Sequence, residues 1–419
     1  MRNRRQIARH IRRNLPPERW QQVRDPRDPR GVRYSLPPLL QLIVVGLCVA
    51  APTTRDVENL AQDLRVKKAL GLLGNPSDTT LERVIARLPV GPLREVLREM
   101  NHDAWRAKRY VAVPLLDMHL VAIDGKTIGC DPERYHPEAQ PQGPGGQSGP
   151  YILRVLRACL VSAAAQPVLD QMVLPAAGGE PDNFLEFFEA LRAAYGRLGM
   201  LECVSVDAGF TSRENFHAVA AAGVGFIAGL KGNQPTLYAE ALRLFGAEEE
   251  LPPWTWEDTY TESRGRRVVT RWLTRQVFPA GFHGWTAPTQ IWRIRQRVET
   301  PAGGVTWEDR FFLTNLAWDR LDARSCMWAI RLHWGIENGP NWTLDMQWKE
   351  DQRAWVRQGR GLEVLGLLRS LAYNIVRLLR QRALRSAAHR RMAWRRLFEV
   401  IRMALTTPGV LDEHATGFS

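Results

Sequence analysis

Two short apolar runs, each ending on an aspartate, constrain this chain more than any other feature. His119–Asp124 reads HLVAID before Gly125, and Leu201–Asp207 reads LECVSVD before Ala208 and Gly209. Short apolar runs bounded by turn residues read as strands buried on both faces. Carboxylates at the ends of such strands collect at the open edge of an α/β sheet, where ligands bind. Each Asp alone can equally begin a turn or cap a loop. Two of them in one sheet favour a shared site, with Gly125 letting the chain turn tightly after Asp124.

The surrounding periodicity supplies the rest of a sheet. Strands are expected near 151–163, 167–174 and 225–230, with helices at Asn183–Tyr195 and Ser212–Ala222. That order predicts an α/β fold: an RNase H-like mixed-sheet catalytic core with a helical N-terminal domain and a β-rich insertion. The stretch HPEAQPQGPGGQSGP (136–150) is rich in Pro, Gly and Gln and reads as a mobile loop. Within 252–316, RRVVTRWLTRQV, TQIWRIRQRVET and VTWEDRFFLTNL alternate apolar with charged residues, as one-sided antiparallel strands do. Leu321–Trp334 reads as helical, and Leu362–Leu379 as a long amphipathic helix.

Ahead of the sheet, residues 37–110 read as helices. Leu39, Leu40, Ile43, Val44 and Leu47 recur at helical spacing. Thr54 is expected to cap a second helix with Val57, Leu60 and Leu64 on one face, and Asp78 or Thr79 to cap a third over Leu81–Leu88. The chain thus divides into a basic N-terminal arm (1–33), a helical domain (34–110), a catalytic domain (111–380) with its insertion at about 250–316, and a basic C-terminal helix and tail (381–419).

Charge indicates the partner. The 419 residues carry a formal net charge of +13. Residues 1–33 and 377–402 carry +8 each, so the body between them is slightly acidic. A near-neutral body with two arginine-rich ends suits a core that grips a phosphate backbone from its flanks, though arginine can also serve solubility alone. The longest apolar run, Leu36–Ala51, is interrupted by Pro37, Pro38 and Gln41 and reads as a buried helix, so no membrane partner is expected. The N-terminus has no signal-peptide pattern. Cys48, Cys130, Cys159, Cys203 and Cys326 form no CxxC or CxxH pair, which argues against zinc and fits a reducing cytoplasm. No P-loop, HExxH or GxSxG motif occurs.

A two-ion phosphoryl-transfer site needs a third carboxylate, best carried on a helix crossing the sheet edge. HWGIENGPNW offers Glu337, which spacing alone leaves open between that role and a capping or surface position. Lys126, two residues after the first Asp, can meet DNA phosphate, pair with the acids, or be plainly solvated. In LKGNQP, Lys231, Asn233 and Gln234 suit a phosphate or base contact, or a structural turn. Trp334 reads as core or as a stacking platform. The Arg- and Trp-rich insertion (Trp254, Trp256, Trp272, Trp285, Trp292, Trp307) suits stacking on a frayed base, or sheet packing.

Several blocks resemble a known family. AIDGKT, VDAGFTSRENFHAVAAAGVGFIAGLKGNQPTLY and HWGIENGPNWTLDMQWKED are similar to the three blocks of the ISAs1-like group of insertion-sequence transposases, relatives of the IS4 class of DDE enzymes. LPPLLQLIVVGLCVAAPTTRDVENLAQ resembles the N-terminal domain associated with that group. Ile330, His333 and Leu344 stand where the IS4-type signature has Tyr, Arg and Lys. The resemblance implies a catalytic and metal-binding triad of Asp124, Asp207 and Glu337, served by two Mg²⁺ or Mn²⁺ ions. It further implies cleavage at element ends and strand transfer into target DNA, by a homo-oligomer on double-stranded DNA in a prokaryotic cytoplasm, at the nucleoid. The candidate DNA contacts are Lys126, Lys231, Asn233, Gln234, His333 and Trp334. A simple nuclease on this fold and a decayed DNA-binding relic are the alternatives; all three acids being present argues against the relic.

Overall fold

Strand β1 (Leu120–Asp131) runs well past the apolar segment that announces it. Leu120 and Ala122 point into one apolar core, Val121 and Ile123 into a second, as the two-residue period of a strand between two layers requires. The computed structural model describes residues 2–131, 133–142, 150–246, 257–264, 267–352, 354–384 and 386–407. Residues 143–149, seven of the fifteen in the segment read as a mobile loop, lie outside them, as do Trp254 and Trp256 of the insertion.

On one side, β1 pairs antiparallel with β3 (Tyr151–Leu160), which pairs antiparallel with β4 (Val168–Val173) and with the short β2 (Gln140–Pro141). On the other side, residues 120–123 pair parallel with β5 (Cys203–Val206), and β5 pairs parallel with β6 (Gly225–Leu230). The order β4-β3-β1-β5-β6 with these directions is the RNase H-like mixed sheet. The insertion contributes β7 (Asp258–Arg264), β8 (Arg267–Val277), β9 (Gln290–Glu299) and β10 (Val305–Thr314). Because β10 pairs antiparallel with β6, these strands extend the same sheet, to ten strands among the described residues.

Helices α7 (Phe184–Tyr195), α8 (Arg213–Ala221) and α9 (Pro235–Phe245) cover one face, burying Phe184, Phe187, Phe188 and Phe216. The sequence reading did not anticipate α9. The other face holds α12 (Gly361–Leu378), whose residues are buried almost throughout, Arg369, Ser370 and Asn374 included. It was expected to be amphipathic. Instead it is a central helix, because α2 (Leu36–Cys48), α5 (Asp78–Arg87) and α6 (Val90–Arg106) close around the side that its polar residues would have turned to water. The N-terminal helices and the sheet therefore share one apolar core.

The N-terminal caps differ from expectation by a residue. Thr53, not Thr54, caps α3 (Thr54–Ala61) by accepting from Asp56 N, and Ser77 caps α5 by accepting from Thr80 N. In each case the extended residue just before the helix is the one whose hydroxyl can reach back. Leu64 does not join the face of Val57 and Leu60; it begins a new helix, α4 (Leu64–Leu70), and is exposed. The residues read as a basic arm form α1 (Arg2–Asn14), which buries Ile7 and Ile11 and packs on α14 (Trp394–Thr406), the helix after the short α13 (Ala387–Arg390). Two basic segments nearly four hundred residues apart thus lie together. Cys159 and Cys203 are small core residues, and among the described residues no helix is long and apolar enough to cross a membrane.

Candidate active site

Asp124 is the first residue of β1 beyond its pairing with β5, and Asp207 is the first residue after β5. The two acids therefore flank the point where parallel neighbours part, the crevice in which open α/β sheets bind ligands. One expectation is corrected. Asp124 does not end its strand, and Gly125 does not turn the chain; β1 continues to Asp131, held by β3 alone.

The third acid arrives on a helical layer over this crevice. Helix α10 (Ala323–His333) ends in His333, which is buried with Nδ1 3.1 Å from Ser205 Oγ and Nε2 3.2 Å from Asp207 Oδ1. Glu337 opens a π-helical turn, Glu337–Asn341, that leads into α11 (Trp342–Trp348). Pro340 has no N–H for the regular ladder, and the widened turn absorbs it. Gly339 lets Gln166 pack against the same turn: a Cβ there would lie 2.4 Å from Gln166 Oε1. Glu337 is exposed, facing a cavity of about 550 Å³ that Asp207, Lys231, Arg310, His333 and Trp334 also line. Asn341, at the end of the turn, donates through Nδ2 to Asp124 Oδ2 at 3.3 Å.

The electrostatics separate the two aspartates. Burial above all, joined by Glu337, Asp207 and Glu180 and opposed by His333, pushes the Asp124 carboxyl up to about 7. Asp207 is held below the ordinary carboxylate range, first by its bond to His333, then by Lys231 and Arg310.

Beneath Asp124 lies a fully buried polar network that the sequence reading missed. Arg157 stands opposite Asp124 in the β1–β3 register. Its guanidinium donates to Asn341 Oδ1 at 3.0 Å, to Gln171 Oε1 at 3.1 Å, and to both carboxylate oxygens of Glu350 at 2.9 and 3.0 Å. Arg157 and Glu350 are wholly buried. In YILRVLRACL, Arg157 reads only as an interruption of an apolar strand. The polar residue on the inner side of an otherwise apolar strand was the available signal.

The other candidate residues fall into two groups. Lys231, His333 and Trp334 line the cavity beside Asp207. Trp334 is half-buried with the Arg310 guanidinium 4.8 Å from its ring centroid. Lys126 is ion-paired with Asp345. Asn233 and Gln234 donate to the backbone carbonyls of Ala208 and Thr211, both at 2.8 Å, and so fasten the turn that follows Asp207. In the insertion, Trp285 and Trp292 are core, while Trp272 stacks on the half-exposed Trp307, with Arg295 4.9 Å above the latter.

Among the described residues, no three His, Cys, Asp or Glu side chains stand in metal-holding geometry, and Asp207 is turned onto His333. The donor set still fits a hard divalent cation. It is made of carboxylate oxygens, the ligands such a cation takes, and the neighbouring negative charges of Glu337, Asp207 and Glu180 around Asp124 are ones a cation would offset.

An RNase H-like sheet with acids gathered where its parallel strands part is the framework of an enzyme that cuts nucleic-acid backbones. A profile described as "Transposase DDE domain" matches residues 116–375, and one described as "DDE_Tnp_1-associated" matches residues 18–100. The chain belongs to the transposase DDE domain family; it is a DNA transposase, and DNA is its partner. Proteins of this family use divalent metal ions. It is 22% identical over 375 residues, 85% of each chain, to an Escherichia coli O157:H7 protein named "Putative transposase YncI". A solved cryo-EM structure of piggyBac transposase, in a synaptic complex with hairpin DNA, is similar at a TM-score of 0.49 and 11% identity, covering 99% of this chain and 83% of that one.

Proposed function

We propose that this transposase is of the ISAs1-like group and cuts the terminal inverted repeats of its element, then joins the freed ends to target DNA, using Asp124, Asp207 and Glu337 as catalytic and metal-binding acids. The carrying observation is the placement of these acids, drawn from segments more than eighty residues apart: Asp124 and Asp207 stand where β1 and β5 part, and Glu337 lines the same cavity as Asp207. Asp124, Asp207 and Glu337 would hold two Mg²⁺ ions, or Mn²⁺, whose presence would supply Lewis acidity to the scissile phosphate and to the attacking water or 3′-hydroxyl.

The chain's own residues do the rest. His333, fixed by Ser205, orients Asp207 and keeps it ionised. Asn341 orients Asp124 from the turn that carries Glu337, so one helical segment sets two of the three acids. Lys231 and Arg310 give the cavity a cationic wall toward a phosphate, and Trp334 offers an aromatic face beside it. Farther out, Arg9, Arg12 and Arg13 of α1 are exposed, as are Arg395, Arg396 and Arg402 of α14. With α1 against α14, these two adjoining helices offer exposed arginines able to hold the duplex backbone. The protein acts as a homo-oligomer on DNA in the cytoplasm, at the nucleoid.

The test is Asp124→Asn with an oligonucleotide carrying the inverted repeat. Cleavage should disappear while gel-shift affinity stays close to wild type, because a metal ligand is lost and no phosphate contact is. Cleavage surviving at a comparable rate refutes the assignment. Cut but never joined product would favour a simple nuclease.

A further inference from the structure

Glu180 lies between β4 and α7, just before the helical turn Pro181–Asn183. Its carboxylate rests directly on the Cα of Gly125: a Cβ at that position would be 2.0 Å from Oε1 and 2.4 Å from Oε2. No residue larger than glycine can stand next to Asp124 while Glu180 keeps this position. The side of β1 to which residue 125 belongs is the α7 side, opposite to that of Asp124. Glu180 thus approaches the first acid across the strand edge, where β5 no longer covers it.

What Glu180 lacks is as informative as what it touches. Among the described residues it makes no hydrogen bond and no ion pair, although it is half-buried. It does not cap the turn that follows it. Arg154, the cation that acts on it, directs Nη2 instead to Gln140 Oε1 at 2.9 Å. An unpaired carboxylate in such a place costs free energy unless something balances it. Apart from Arg154, its electrostatic company is more carboxylate: it raises Asp124, and Asp207 raises it.

We propose that Glu180 is a fourth carboxylate ligand of the divalent-ion site, reaching it from the α7 side of the sheet through the gap that Gly125 leaves. This rests on the reading of Asp124, Asp207 and Glu337 as metal-binding acids. Gly125 is then a requirement of the site and not of a turn, and α7 is coupled to the chemistry through the residue that leads into it.

The test is Mn²⁺ binding to the full chain without DNA, by calorimetry, together with thermal melts in chelator and in Mn²⁺. Wild type, Asp124→Asn, Glu180→Gln and Gly125→Ala are compared. Glu180→Gln should weaken Mn²⁺ binding at least about tenfold. Its melting temperature in chelator should hold or rise, because a charge with no partner has been removed, while the Mn²⁺-induced upshift shrinks. Gly125→Ala, which displaces the carboxylate, should weaken Mn²⁺ in the same way. If Asp124→Asn loses Mn²⁺ while Glu180→Gln binds within twofold of wild type, the Glu180 inference fails and the triad stands. If Asp124→Asn also binds as wild type does, the metal-site reading itself fails.

Discussion

Glu350→Gln isolates the network beneath Asp124. Arg157 and Glu350 are both wholly buried and joined by two contacts at 2.9 and 3.0 Å. Neutralising the carboxylate leaves a buried guanidinium charge without its counter-charge, a change that costs about 3–5 kcal/mol when one partner of a buried pair is removed. With roughly 2.1 cal/mol/K of unfolding entropy per residue over 419 residues, that corresponds to a drop in melting temperature of about 3–6 °C, read by calorimetry. Replacing the pair together, Arg157→Met with Glu350→Leu, should restore most of the stability, since a buried pair gains little over apolar residues of similar size. Cleavage should stay impaired in the double variant, because Arg157 also fixes the Asn341 carbonyl oxygen, and with it the donor to Asp124. A melting temperature for Glu350→Gln within about 1 °C of wild type, the range of an ordinary surface substitution, would show that water or another group already balances Arg157, and the positioning argument would fall.

Two further outcomes concern the ends of the chain. Changing the exposed Arg9, Arg12 and Arg13 to Gln should leave melting unchanged but reduce the slope of log affinity against log salt by about 0.9 for each arginine that meets a phosphate; an unaltered slope means α1 serves folding alone. His10 is brought down to about 4, chiefly by burial, while Nε2 donates to the Ile375 carbonyl at 2.9 Å. Its folded pKa lies below the unfolded value of 6.5, so the unfolded chain binds the extra proton between pH 6.5 and 4. Stability from His10 is therefore complete above pH 6.5 and declines on acidification, by at most about 3 kcal/mol. Melts of His10→Gln should flatten over that window, and a parallel decline in both proteins would dismiss the assignment.

The linear pattern was enough for what depends on neighbours along the chain. Short apolar runs in HLVAID and LECVSVD mark β1 and β5, the helical spacing of Leu39 to Leu47 marks α2, and the alternating Arg- and Trp-rich runs mark the strands of the insertion. Asp124 and Asp207 stood out as candidates because each closes an apolar run, and Glu337 because the block around it resembles that of known transposases. Tertiary structure alone decided what each acid meets. Strand register sets Arg157 opposite Asp124, and a π-turn reaches back with Asn341, 217 positions away. A missing Cβ at Gly125 admits Glu180, and the N-terminal helices α2, α5 and α6, closing over the sheet, bury α12. Periodicity records which face of an element is apolar. It carries no record of which distant element will cover that face, and the charges of this site are set by that covering.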